Sequence, residues 1–321
     1  MVQSIEVDAL ISHLYRMAPS VPPDQYRVWA LEQLSRVIEF DAAFWGTGNQ
    51  ASIRFHYVNH IGLDDQYAVT LEQTLEMNPI RDGVLNNLGK PVDMSDVISD
   101  DAFYQSELYR RLFEPYGIQR ILASGHVDVN SGLYTLLSLY RFDRQQVFTP
   151  AERELQQHLI FHLVSAVSHA FFLHLRVGQQ LQESSDIGAS AICDQQGCFH
   201  EVQPRFVTLL NQHFPGREST TLPFGIPNLR GVVELEVNNL SATFTPLGNL
   251  VVVNLRLLGP LDRLSDREKQ IVERICKGLS FKEVAKGLHL APSTVSNHLY
   301  RVYDKLGISS RTELAQLVDL Q

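Results

Sequence analysis

LSDREKQIVERICKGLSFKEVAKGLHLAPSTVSNHLYRVYDKLGISSRTELAQLV runs from Leu264 to Val318 and divides into four short helical segments. Ser265, Ser280 and Ser310 each precede a glutamate by three residues, at Glu268, Glu283 and Glu313. That spacing lets the serine oxygen and the glutamate carboxylate each satisfy an N–H at the start of a helix. Gly278, Gly287 and Gly307 stand where a preceding helix is expected to stop in a left-handed conformation, which glycine adopts without a Cβ penalty. Pro292 suits the first position of the third helix, where a missing N–H costs nothing. From there Val295, Leu299, Val302 and Leu306 form one apolar stripe. Ile271, Ile275, Leu279, Val284, Ala285, Leu288, Leu314 and Leu317 supply its packing partners. The segment is expected to be an all-α module, too small to enclose a substrate pocket.

The other face of the third helix carries Ser293, Ser296, Asn297, Tyr300 and Arg301. It is polar but barely charged, and such side chains suit base edges in a major groove. Lys282, Lys286, Lys305 and Arg311 surround it, where they are expected to hold the phosphate backbone. Caps, spacing and polar face agree on a helix-turn-helix.

The strings LSDRE, GLSFKEVAKGL, STVSNHLYRVYDKLG and SSRTEL resemble the LuxR/FixJ-type DNA-binding domain of bacterial transcription regulators, over about a fifth of the chain. The resemblance implies double-stranded DNA as partner, a third helix in the major groove and a fourth helix that supports a homodimer. It places Thr294, Ser296, Asn297 and Tyr300 toward DNA, Val295 and Leu299 in the core, and His298 in packing. RNA polymerase is a further partner for such a regulator. Two positions depart from the family pattern. Ala291 stands where many relatives have a capping serine, and losing such an oxygen costs ~1 kcal/mol. Ser296 stands where many have Lys or Arg, so base preference does not transfer.

At 321 residues the chain has room for two or three domains. Its net charge of −9 is uneven: residues 261–321 hold ten Lys/Arg and eight Asp/Glu, a net of +2, which leaves −11 on the first 260. A mildly basic reader under an acidic body fits a regulator whose bulk avoids non-specific DNA contact. Three cysteines and no signal-peptide pattern indicate the reducing bacterial cytoplasm. The apolar run Leu159 to Leu175 is broken by His162, His169 and His174 and is too short to span a membrane.

Residues 1–178 alternate helical and strand-like stretches. Helices are expected at 4–17, 24–39, 64–76 and 106–115, strands at 42–46, 53–59, 118–127 and 133–142, with a turn at Asn130-Ser131-Gly132, and a long helix from Pro150 to Val177. This is an α+β pattern, and its element order resembles GAF-like sensor domains and the ligand-binding domain of quorum-sensing LuxR proteins. In the latter an Asp-Pro pair follows spaced aromatics, and the Asp accepts a hydrogen bond from the signal's amide. The corresponding pair here is Asn78-Pro79, with Tyr67 upstream, so Tyr67 and Asn78 are the ligand-binding candidates for a small molecule; no tryptophan stands at the expected positions. On the long helix Leu155, Leu159, Leu163, Ala166, Ala170, Leu173 and Val177 make one stripe, suited to packing on the domain's own sheet and, along a different segment, to pairing with a twin helix.

Residues 179–260 open on the polar break Gln179–Asp186, then read as a hairpin, a helix at 204–214, and strands at 232–237, 241–245 and 250–257. ICDQQGCFHEVQPRF resembles the opening of a PAS domain with a compressed helical middle. Cys193 and Cys198 flank the hairpin turn, a spacing open to redox pairing or to two small buried residues.

No pattern supports an enzyme or a bound cofactor. GxxxxGK[ST] and G-x-S-x-G are absent, and His158 and His162 lack a third metal ligand placed by sequence. A receiver domain does not fit the helical opening, and a sigma-like factor does not fit the strand-rich front. The expected function is a transcription regulator controlled by its N-terminal sensor region. The competing reading is a protein that sequesters another regulator by heterodimerisation, with weak or no DNA binding of its own.

Overall fold

The computed structural model describes residues 2–49, 54–128, 131–178, 189–218, 220–247 and 250–319, excluding the side chains of 2–5, 49, 174–178 and 319. The front unit comprises α1 (Val2–Met17), α2 (Pro23–Leu34), β1 (Ala42–Asn49), β2 (Arg54–Ile61), α3 (Asp65–Gln73), α4 (Pro79–Asn86), β3 (Pro91–Asp93), α5 (Met94–Val97), α6 (Asp100–Gln105), β4 (Arg120–Val127), β5 (Leu133–Arg141) and α7 (Pro150–Gly178). The middle unit follows as β6 (Ala189–Cys193), β7 (Phe199–Val202), α8 (Pro204–His213), β8 (Val233–Val237), β9 (Leu240–Leu247) and β10 (Leu250–Leu257). The C-terminal module holds α9 (Asp266–Cys276), α10 (Phe281–Leu288), α11 (Pro292–Leu306) and α12 (Arg311–Asp319). The chain is thus a mixed α+β protein with two antiparallel sheets and a helical C-terminus.

The front sheet runs β2-β1-β5-β4-β3 and the middle sheet β7-β6-β10-β9-β8. Counted within each unit, both orders are 2-1-5-4-3. In the front sheet, alternation along the strands sends successive side chains to opposite faces. Ala43, Trp45, Leu122, Leu137 and Leu139 pack against α1, α2 and α7, whereas Ala42, Phe44, Ile121, Ala123 and Tyr140 pack under α3 to α6. The sheet is therefore covered on both sides.

Leu155, Leu159, Leu163, Ala166 and Ala170 of α7 lie buried in the first of these cores. That face of α7 packs on its own sheet and is not free for a twin helix; the Val177 side chain lies outside the described residues. His162 and His169 pack edge-on against Tyr15 of α1. The front and middle units also share packing. Ile192 of β6 joins the front core, and Leu133 of β5 joins the core beneath α8.

Several boundaries differ from expectation. The second helix stops at Leu34 rather than 39, and the stretch from 64 to 76 splits into α3 and a 3₁₀ turn Leu75–Met77. The helix expected at 106–115 is present as an unbroken helical run over 107–116, in which Tyr109–Phe113 takes π geometry and the closing turn Glu114–Tyr116 is 3₁₀. Pro115 cannot donate the N–H that a continuing helix requires. Helices α4, α5 and α6 and the three-residue β3 are too short to show a period in the sequence. The polar break Gln179–Asp186, and Ile53 and Asn130 from the expected strand and turn, lie outside the described residues.

Cys193 and Cys198 are both free. Burial pushes both thiols up, away from the thiolate, with the Asp194 carboxylate adding to the effect.

Candidate nucleic-acid interface and ligand cavity

Capping shapes the C-terminal module. Glu268 and Glu283 each accept the backbone N–H and the hydroxyl of the serine three residues before them, at 2.7–2.9 Å. The third box is shifted by one residue: Glu313 accepts from the Ser309 N–H at 2.9 Å, while the Ser310 hydroxyl accepts from the Glu313 N–H at 3.2 Å. Gly278 and Gly307 are left-handed, with φ of +89° and +66°. Gly287 is not; it lies inside α10, and His289 (φ +55°) makes the left-handed stop. A Cβ at Gly287 would meet only the tip of the Arg274 side chain.

Helix α10 and helix α11 are joined by three residues, His289, Leu290 and Ala291, with the Leu290 N–H returning to the Ala285 carbonyl at 2.9 Å. Val295, Leu299 and Val302 of α11 are buried against Ile271, Ile275, Val284, Ala285, Leu288 and Leu314. Every member of this core lies between residues 261 and 318, so the module buries its own apolar surface. Opposite that core, Ser293, Ser296, Asn297, Tyr300 and Arg301 are exposed, Tyr300 by 75%, and Thr294 is half-buried.

The basic residues divide into two groups. Lys282, Lys286 and Arg301 are exposed beside the polar face. Lys305 and Arg311, expected to hold phosphates, both have partners within the module. Lys305 Nζ donates to Glu268 Oε2 at 2.6 Å, and the Arg311 guanidinium donates to the Ile275 carbonyl at the end of α9. Sequence position alone does not reveal such commitments.

Glu268 joins the start of α9 to the last turn of α11. Burial works to raise its pKa, but hydrogen bonds from Lys305 and Ser265 and the Lys305 charge outweigh it and hold the carboxyl at about 2. A carboxyl depressed in the folded state contributes stability above its ordinary range, and that contribution is lost as pH falls toward the folded pKa. Melting of the module should therefore drop between about pH 4.5 and pH 2. In Glu268→Gln the melting temperature should be lower at pH 7, and its gap to the parent should close in acid. A gap independent of pH would contradict this.

Ala291 occupies the N-cap of α11 and offers no side-chain acceptor. Ala291→Ser should raise the stability of the module by ~1 kcal/mol, since a capping oxygen satisfies an N–H near the helix start. Chemical denaturation monitored at the C-terminal transition checks this.

A second candidate lies in the front unit. Tyr67 and Asn78 line one cavity together with Phe55, Leu71, Arg81, Tyr134, Ser138 and Tyr140. Its volume is ≈ 30 Å³. The Tyr67 hydroxyl donates to the Tyr140 hydroxyl at 2.8 Å. The Asn78 carboxamide oxygen accepts the Ile80 N–H at 3.3 Å and caps α4. Tyr67 and Asn78, the two sequence candidates, thus line the same cavity. Arg81, Ser138 and Tyr140 were not singled out, because they reach the cavity from elements far apart in the chain.

Comparison with known proteins bears on the C-terminal module. Residues 262–318 match the family of bacterial regulatory proteins, luxR family. The transcriptional regulatory protein UhpA of Escherichia coli (strain K12) is 41% identical over 58 residues, which cover 18% of this chain and 30% of the relative. The probable transcriptional regulatory protein NarL of Mycobacterium tuberculosis (strain CDC 1551 / Oshkosh) is 48% identical over 48 residues, 15% of this chain and 22% of the relative. The matches to these relatives thus span less than a third of their length. The crystal structure of Escherichia coli SdiA aligns over 97% of this chain and 96% of its own, at 11% identity and a TM-score of 0.38. The C-terminal module is a luxR-family helix-turn-helix domain of the kind carried by bacterial transcription regulators. Among the described residues, no helix is long and apolar enough to cross a membrane.

Proposed function

We propose that the chain is a sequence-specific DNA-binding transcription regulator, acting as a homodimer and controlled by a small ligand or partner at its front half. The observation that carries this reading is the exposed, uncommitted polar face of α11 on a luxR-family domain. Ser296, Asn297 and Tyr300 read base edges there, while Lys282 and Arg301 contact phosphates. The module carries a net charge of only +2, so one copy binds weakly and two half-sites are needed. RNA polymerase is the partner through which a bound dimer would change transcription.

The front half is read as the control element. Both sheets share one strand order, which supports GAF-like and PAS-like sensor assignments for residues 1–178 and 179–260. The aromatic cavity around Tyr67 suits a mainly apolar molecule with one polar group. With so little open space, side chains must move to admit it, and that movement would couple occupancy to the rest of the unit. A fragment of residues 261–321 should bind operator DNA weakly and ignore cell extract, whereas the full chain responds to it. Full regulated behaviour in the fragment would contradict control by the front half. The sequestering reading draws on one observation, that Lys305 and Arg311 are engaged inside the module. It predicts no operator affinity at physiological salt.

A further inference from the structure

A second cavity lies on the opposite side of the front sheet, where the front unit meets the middle unit. Its walls come from α2, β1, β4, β5, α7 and β7. Arg27, 2% exposed, stacks on the Tyr57 ring at 4.3 Å and lies 5.4 Å from the Trp45 ring. Its Nε and Nη1 have no hydrogen-bond partner among the described residues, nor do the Trp45 indole nitrogen and both ring nitrogens of His200. Its ion partner Glu201, on β7, stands 3.9 Å from Nη2, beyond hydrogen-bond reach. Trp45 and His200 are themselves 1% and 3% exposed.

Buried polar groups nearly always find partners, because an unpaired one forfeits its hydration for nothing. The unpaired nitrogens around this cavity are mostly donors, two on Arg27, one on Trp45 and one N–H of His200, against a single acceptor nitrogen on His200, so the missing chemistry is chiefly an acceptor, and beside Arg27 one with negative charge. The cavity volume is ≈ 40 Å³, which limits an occupant to a few heavy atoms. We propose that this inter-unit cavity binds a small monocarboxylate of acetate size, with Arg27 as its cationic partner and Trp45 and His200 as further donors. The site is separate from the aromatic cavity, and its occupant would join α2 to β7 across the two units.

The surrounding charges permit this. Burial pushes His200 down to about 3, helped by His56 and Arg27, and burial also lowers His56 and His126. All three rings are thus neutral. The Asp128 carboxylate accepts the Ser131 N–H at 3.1 Å and serves the turn after β4. Burial pushes Glu201 up to about 7 against the pull of Arg27 and a Ser168 hydrogen bond, with Asp128 adding to the rise. Tyr57, which also faces Arg27, is raised by burial and stays neutral. An incoming carboxylate therefore replaces Glu201 as the counter-charge of Arg27, and Glu201 takes up one proton. Affinity should be flat below pH 7 and fall toward tenfold per unit above it.

The test uses the full chain with Trp29→Phe, which leaves Trp45 as the remaining tryptophan. Sodium acetate is titrated at pH 6.5 and followed by Trp45 fluorescence, with sodium chloride at equal ionic strength and acetamide as comparisons. Acetate alone should give a saturable change. Arg27→Gln should weaken it at least tenfold, and Glu201→Gln should bind equally at pH 6.5 and 8 while the parent weakens about tenfold. If Arg27→Gln proves unfolded by circular dichroism, the Glu201→Gln pH profile decides. Equal responses to acetate and chloride, or a Glu201→Gln profile that matches the parent, would overturn the proposal.

Discussion

Replacing Ile271 with alanine is expected to destabilise the C-terminal module strongly while the front and middle units keep their stability. Ile271 is fully buried at the centre of a core built only from residues 261–318. Truncating such a side chain costs about 2–5 kcal/mol, because the cavity cannot fully collapse. A unit of this size is stable by only about 3–9 kcal/mol in total. Calorimetry should show the C-terminal transition lowered by at least about 10 °C, with DNA affinity lost in parallel. The transitions of the other two units should not move, since they draw on separate clusters. A uniform shift of all transitions would mean that the module depends on the rest of the chain for its fold.

The second large effect concerns recognition. Asn297 is exposed on α11, between Ser293 and Tyr300 on the polar face. A carboxamide can pair with adenine through two hydrogen bonds, and losing such a pair costs about 1–3 kcal/mol at that base. Asn297→Ala should therefore weaken the best operator roughly 5- to 150-fold and relax preference at one base pair. Lys282→Ala should differ in kind, lowering affinity for all sequences and reducing the salt slope. Competition binding against operators altered one base pair at a time separates the two. Unchanged affinity in Asn297→Ala would remove this residue from the reading face.

The C-terminal module was largely legible in the sequence because its determinants are local. Ser265 with Glu268, Ser280 with Glu283, and Gly278 and Gly307 act within a few residues of one another, and the structure realises each as read. Gly287 misled for the same reason. Its neighbours in sequence point to a helix end, but the left-handed residue that ends α10 is His289, two positions on. Lys305 and Arg311 show the limit from the other side, since a lone cation at a helix end reads alike whether it awaits a phosphate or is already paired.

In the front unit, β1, β2, β4, β5 and α7 announced themselves by alternation or length. The short elements α4, α5, α6 and β3 did not, because four to eight residues cannot display a period. Yet one of them, α4, supplies Ile80, Arg81 and Val84 to the wall of the aromatic cavity. Tyr67 and Asn78 were found through resemblance, but Arg81, Ser138 and Tyr140 meet them only through the fold. The inter-unit cavity was invisible for the same physical reason: Arg27 and Glu201 stand 174 positions apart in the chain, and neither residue has a neighbour that marks it.

The most direct test of the account is to map the chain's binding sites across the source genome, for the parent and for a variant with Ser296, Asn297 and Tyr300 all changed to alanine. The parent should occupy discrete sites that share a motif with two related halves, and the variant should lose them at equal protein abundance. No shared motif in the parent, or the same sites retained by the variant, would contradict DNA reading through the exposed face of α11.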